Sequence, residues 1–266
     1  MPASDGNERM ALATQLVAAV RDAGALALGI FGTEIKTWTK GHGSPVSAAD
    51  IAVDDLLRAR LSAAASGIAW LSEESADHPA RAAAHRVWVV DPIAGTRAYL
   101  AGRTDWAVAA ALVEDGRPVA AALFAPAEPA FYAAVAGKGA TLDGAPIAAT
   151  PGASLDGARV AGAKSYQDRL VALGLKFEAV PRIHSIALRF AQVARGTLDA
   201  AFASGSSHDW DLAAADLLVH EAGGALTTLA GRPLVYNGAE LVHGPLVAAG
   251  RARHGTLIGL CVDRPA

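Results

Sequence analysis

The sequence predicts a mixed fold, α+β in residues 1–150 and α/β in residues 151–266. Three observations carry this. Three apolar segments, 106–113, 119–124 and 130–136, follow one another with only short turns between them. Links that short join antiparallel strands, since a parallel pair needs a crossover of a dozen residues or more. Beyond the turn-rich stretch 151–157, strand-like and helix-like segments alternate instead. Finally, 266 residues with 52% hydrophobic side chains suffice for a substantial core.

Each element follows from its local pattern. Residues 10–31 place Leu12, Leu16, Val20 and Ala23 at helical spacing, predicting a long amphipathic helix. A short strand at 35–39 leads into a loop at 40–45, marked by Gly41, Gly43 and Pro45. Residues 48–64 read as a second helix with Ile51, Leu56, Leu57 and Leu61 inward, and Asp50 in its first turn, where a carboxylate is favoured. A short strand, 68–72, ends at Glu73. The apolar run 87–90 reads as a buried strand that delivers Asp91 to its end, with Pro92 and Gly95 breaking it. Asp115-Gly116 marks a hairpin turn. In the second half, 159–163 reads as a strand, 165–174 as a helix and 185–195 as a helix closed by Gly196. A strand at 198–203, a helix at 211–222 closed by Gly223-Gly224, and strands at 225–229 and 246–249 complete the pattern. The apolar run 257–262 reads as a last strand, burying the thiol of Cys261.

Composition excludes several functions. A net charge of −3 gives no electrostatic case for nucleic acid or an anionic membrane as main partner. The eight histidines are scattered without zinc-site spacing. Cys261 stands alone, so no internal disulfide forms. The polar N-terminus lacks the layout of a signal peptide, and Arg21 and Asp22 interrupt the apolar stretch 11–31. The expectation is a cytoplasmic protein acting on a small molecule.

The chemistry centres on Asp91-Pro92-Ile93-Ala94-Gly95-Thr96. A carboxylate at a strand end, followed by a Gly-Thr turn, suits a cation with an anion beside it. Glu73 and Asp211 stand at the ends of other elements, and carboxylates without nearby His or Cys favour Mg²⁺ or Mn²⁺ over zinc.

Together with Ser44–Asp50, Leu71-Ser72-Glu73-Glu74-Ser75 and Trp210-Asp211 running into Glu221-Ala222-Gly223-Gly224, this block resembles the inositol monophosphatase superfamily of magnesium-dependent, lithium-sensitive phosphomonoesterases. The resemblance spans nearly the whole chain and implies a layered αβαβα sandwich, with the site where the two halves meet. It implies two or three Mg²⁺ ions, inhibition by Li⁺, a small phosphorylated substrate and a homodimer. Glu73, Asp91 and the Ile93 carbonyl would hold one ion, Asp91 and Asp211 a second, and Glu73 a third through water. Thr96 and Asp50 would activate the attacking water, and Gly95 and Thr96 would hold phosphate oxygens. Glu74 receives no role and is expected to face solvent or a neighbouring strand.

One position departs from the family block. Ala94 stands where the family has a metal-binding aspartate, which implies impaired turnover. The other acids remain, a pattern that fits one deliberate replacement better than general drift. Family enzymes acting on inositol phosphate carry a glutamate seven residues before the Trp-Asp aspartate, and here that position is Ser204. The resemblance therefore leans towards branches acting on histidinol phosphate or 3′-phosphoadenosine 5′-phosphate, with Ser204 and Asp211 beside the substrate. His208 is expected at the surface, with contact to substrate as the alternative, and Lys164, Ser165, His184 and Arg189 lie where family members place substrate contacts. The alternative is a silent relative that binds a phosphorylated ligand or a protein without turnover.

Overall fold

The computed structural model describes residues 3–40 and 43–262. Helix α1 (Ala3–Ile30) is followed by the hairpin β1 (Thr37–Lys40) and β2 (Ser44–Ser47), then helix α2 (Ala48–Ala64). Strands β3 (Ala69–Ser72) and β4 (Arg86–Ala94), the short helix α3 (Thr96–Leu100), and strands β5 (Ala107–Glu114), β6 (Arg117–Ala125), β7 (Ala130–Val135), β8 (Ala140–Leu142) and β9 (Ala145–Ile147) come next. The second half runs β10 (Ala158–Ala161), α4 (Lys164–Ala172), β11 (Phe177–Ala179), α5 (Ile186–Arg195), β12 (Ala200–Ala203) and β13 (Ser207–His208). Helix α6 (Asp209–Glu221), strands β14 (Gly224–Thr228), β15 (Val242–His243) and β16 (Leu246–Gly250), and helix α7 (Arg251–Val262) complete it.

Two sheets dominate. One holds β3 to β9 in sequence order, with β3 parallel to β4 and every later neighbour antiparallel. The other has the order β11-β10-β12-β16-β14 and mixes parallel and antiparallel pairs. Strand β4 explains the layering. Val87 and Val89 enter one core and Trp88 and Val90 another, so both faces are buried and the strand is apolar throughout. Helices α1 and α2 cover the Trp88 face, with Leu12, Leu16, Val20, Leu57 and Leu61 inward. Helices α5 and α6 fill the space between the two sheets, through Phe190, Leu212, Leu217 and Leu218. Helices α4 and α7 cover the outer face of the second sheet, where Leu170 and Leu257 meet Val160 and Phe202. The result is an αβαβα sandwich. Helix α1 is long and apolar enough to cross a membrane, and here its apolar side packs on the first sheet.

Several expectations are corrected. The strand expected to stop before Pro92 continues to Ala94, and its pairing with β5 slips between Asp91 and Ala94. Proline donates no ladder hydrogen bond, so a bulge is where a strand tolerates it. The stretch expected as a loop at 40–45 contains the end of β1 and the start of β2, with Lys40 opposite Ser44. Its residues 41–42 lie outside the described residues. The run 257–262 is the end of a twelve-residue helix, not a strand, because Arg251–Thr256 continue the same helical pattern. The side chain of Cys261 lies outside the described residues.

Candidate metal-phosphate site

Asp91 sits on β4 just before the bulge and is 1% exposed. The parallel β3–β4 register sets Ser72 beside Val90, which brings Glu73 alongside it, and the Glu73 N–H donates to the Val90 carbonyl at 3.3 Å. Helix α6 supplies Asp211 from its first turn, where Asp211 Oδ2 accepts from the His208 N–H at 2.6 Å. Its neighbour Asp209 points elsewhere, fully buried against His243 Nε2 (2.7 Å) and the Asn237 N–H (2.7 Å).

Asp50 is placed by a capping box. Ser47 Oγ accepts from the Asp50 N–H, while Asp50 Oδ2 accepts from the Ser47 N–H at 2.8 Å. The other oxygen, Oδ1, accepts from Thr96 Oγ1 at 3.0 Å. The Thr96 hydroxyl also lies 3.1 Å from the Ile93 carbonyl, so its single proton is shared. Gly95, at φ +100°, makes the turn. A Cβ there would stand 3.3 Å from the Asp105 carbonyl and the Ser185 nitrogen. Asp105 clamps this approach by accepting from the His184 N–H (2.7 Å) and facing His184 Nδ1 (2.6 Å).

The electrostatics are those of uncompensated negative charge. Burial pushes Asp91 well above the usual carboxylate range, and Glu73, Asp211, Asp50 and Glu74 push it further. Its Oδ1 is buried without a hydrogen-bond partner among the described residues. Burial also carries Glu73 up to about 7; Lys40 opposes this, and Asp211 and Glu74 add to it. Asp50 is raised by burial against the hydrogen bonds from Ser47 and Thr96.

Lys40 was not singled out from the sequence. Its Nζ lies 3.2 Å from Glu73 Oε1 and 2.6 Å from Glu74 Oε1, and donates to the Glu73 carbonyl at 2.9 Å. Of the two settings expected for Glu74, solvent or a neighbouring strand, it takes the second, paired with Lys40 at the end of β1. Its side chain is 3% exposed, because Lys40 draws it inward. No local signal marks Lys40, since its partners lie across the β1–β2 hairpin. The Ser47 cap was not singled out either, although Ser47-x-x-Asp50 is a local signal that could have found it.

An open cleft of about 580 Å³ faces these groups, lined by Lys40, Glu73, Arg97, Ser206, His208 and Asp211, among others. His208, read as a surface residue or a substrate contact, is part-exposed; it lines the cleft and stacks on Trp210, centroids 4.6 Å apart and planes 4° apart. Ser204, expected beside the substrate, lines a neighbouring cavity together with Lys164 and Arg189. Ser165 lies on α4 and lines neither.

Among the described residues, no three His, Cys, Asp or Glu side chains form a ready-made cage for a metal ion. Ala94, in the core at the end of β4, supplies no ligand atom. The donor set is nonetheless all oxygen, and the orphaned Asp91 Oδ1 with its acid neighbours is an arrangement that a hard divalent cation neutralises.

Five layers with acids converging where the sheets meet define a class as well as a site. A sequence profile of the Inositol monophosphatase family matches residues 8–264, and the chain belongs to that family. An inositol-1-monophosphatase of Mesorhizobium japonicum is 31% identical over 253 residues, 86% of this chain and 90% of that protein. A histidinol-phosphatase of Mycobacterium tuberculosis is 34% identical over 212 residues, 74% of this chain and 79% of the relative. Among solved structures, the extragenic suppressor protein SuhB of Bartonella henselae superposes with a TM-score of 0.83 at 24% identity, covering 93% of this chain and 97% of the other. The first two of these relatives are phosphatases by name.

Proposed function

We propose that this chain binds a small phosphate monoester with Mg²⁺, within a framework built for its hydrolysis and impaired by Ala94. The observation that carries the reading is the buried, unpartnered Asp91 carboxyl oxygen among Glu73, Asp211 and Asp50. Glu73, Asp91 and the Ile93 carbonyl would hold one ion, and Asp91 and Asp211 a second, with Mn²⁺ as a substitute and Li⁺ as an inhibitor. When bound, such ions supply a nucleophilic water at neutral pH and neutralise charge on the phosphate oxygens.

The chain's own residues do the rest. Thr96 donates its proton to Asp50, which leaves its lone pairs to accept a proton from the attacking water, general-base assistance relayed through a hydroxyl. The cap from Ser47 holds the Asp50 carboxylate in line for this. The Gly95 and Thr96 N–H groups would bind phosphate oxygens. His208 on Trp210 forms one wall of the cleft, beside Asp211. The setting this reading implies is a cytoplasmic homodimer acting on free small molecules.

The test is phosphate release by this chain and its Ala94→Asp form across a panel of monoesters. The reading expects Mg²⁺-dependent release by the Asp form. Absence of release from every ester by that form overturns it. Ala94 itself favours a second reading, a silent relative that holds its phosphorylated ligand without turnover, in which case both forms bind and neither hydrolyses.

A further inference from the structure

A second cavity, about 710 Å³, adjoins the same loop. Ser204 lines it, while Ser206, two residues on, lines the cleft of Glu73 and Asp211. Its charged lining is Lys164, Asp168, Arg182 and Arg189. Lys164 and Asp168 satisfy each other, with Nζ 2.6 Å and 2.8 Å from the two carboxylate oxygens. That leaves Arg182 and Arg189 with no carboxylate partner among the described residues.

Arg189 is the unusual one. It is 7% exposed on α5, and among the described residues no carboxylate forms an ion pair with it. Nη1 donates to the Phe202 carbonyl at 2.9 Å and Nη2 to the Ile183 carbonyl, while Nε is buried with no partner among the described residues. Asp105, the acid that acts on it, is already taken by His184 and Arg103. Burial, then the neighbouring Arg182, press the Arg189 pKa down to about 10. Bracing two carbonyls accounts for the Nη groups. It accounts neither for the orphaned Nε nor for a second, exposed arginine held beside a buried one. A buried charge without a counter-ion is costly, and an oxyanion between two guanidinium forks removes that cost through paired hydrogen bonds.

We infer that this cavity receives a second anionic group of the substrate, a phosphate, sulfate or carboxylate, through Arg182 and Arg189, while the scissile phosphate lies at the Asp91–Thr96 loop. This rests on the function proposed above and narrows its substrate class to bis-anionic monoesters. The backbone supports the span, since Ser185, between the two arginines, packs against Gly95. A substrate carrying an ammonium at that end, as histidinol phosphate does, meets repulsion instead.

Matched pairs differing only in the second phosphate test this: adenosine 3′,5′-bisphosphate against adenosine 3′-monophosphate, and glucose 1,6-bisphosphate against glucose 1-phosphate. With the Ala94→Asp form and Mg²⁺, at least one bisphosphate should show a kcat/KM about 30-fold above its partner, carried by KM. Arg182→Ala, at an exposed position, should cut that advantage about tenfold and leave the monophosphate unchanged. Calorimetry on the chain with Ala94 in place reads the same preference as binding, independently of turnover. A bisphosphate advantage in binding without hydrolysis supports the subsite even as the hydrolytic reading fails. Equal affinity within both pairs, or equal losses on both members in Arg182→Ala, overturns the subsite while leaving the phosphatase reading intact.

Discussion

Two carboxylates in this molecule live in opposite surroundings. Asp199 accepts from Arg159 Nε (2.9 Å), the Arg159 N–H (2.8 Å) and Thr150 Oγ1 (2.7 Å). Burial opposes its charge, but these donors prevail and hold it down to about 2. Asp91, at the centre of the other group, has an orphaned oxygen and four acid neighbours, and is pushed well upward. The first is a finished structural clamp. The second is left electrically incomplete by the protein, and in the function proposed above a cation completes it.

The largest expected effect is at the incomplete group. Ala94→Asp should raise Mg²⁺-dependent phosphate release by about a thousandfold, a loss of the order that follows removal of a group acting on transition-state charge. Equal rates on a shared substrate would show that position 94 supplies no ligand. Next, Asp199→Asn should destabilise the fold by about 2 kcal/mol, since it weakens three hydrogen bonds to the carboxylate, one of them from a half-exposed Arg159. Asp91→Asn should leave the metal-free protein within about 1 kcal/mol of the parent, or above it, because it removes repulsion rather than a partner. Urea unfolding in chelator decides between these, and similar losses from both would erase the contrast.

pH separates the two groups by sign. The Asp199 pKa is depressed on folding, so its stabilisation is present above pH 4 and is lost as pH falls towards 2, about 2 kcal/mol in all. Glu73 is raised from 4.5 to about 7, so the metal-free protein should lose stability as pH rises through that interval. Saturating Mg²⁺ should flatten the second slope and leave the first untouched. An unfolding series in chelator and in Mg²⁺ measures both, and a Glu73 slope that persists in Mg²⁺ would detach Glu73 from the ion. The smallest effect is Ser47→Ala, which removes a helix cap worth about 1 kcal/mol. It should also slacken Asp50, visible as a fall in kcat of the Ala94→Asp form at unchanged KM.

What was legible from the sequence had a local cause. The Asp115-Gly116 turn takes left-handed angles at both residues, as a two-residue hairpin demands. Helix α5 begins at Ser185, whose hydroxyl caps Leu188, and ends at Gly196. The two-sided burial of β4 shows in its unbroken apolar run. What was missed lacked such a cause. Strand β11 is three residues long at a sheet edge, too short for a periodic signal. The run 257–262 suits helix or strand equally until the residues before it are weighed. Lys40 meets Glu73 and Glu74 only through the hairpin, and Arg189 meets Arg182 only through the turn into α5. Pro92 punctuates the sequence, yet the bulge lets the strand pass through it.

Helix α6 sits between the sheets and is the last element to deliver an acid to the site. As the chain leaves the ribosome from its N-terminus, β3 to β9 are complete while one face of their sheet, including Val87, Val89, Leu123 and Tyr132, still has no cover. Helices α5 and α6 must arrive before that face leaves water. Asp211 rides on the second of them. With the metal site proposed above, the nascent protein could not capture a metal pair before its central apolar layer has closed, and cation binding would be a late checkpoint on a correctly finished chain.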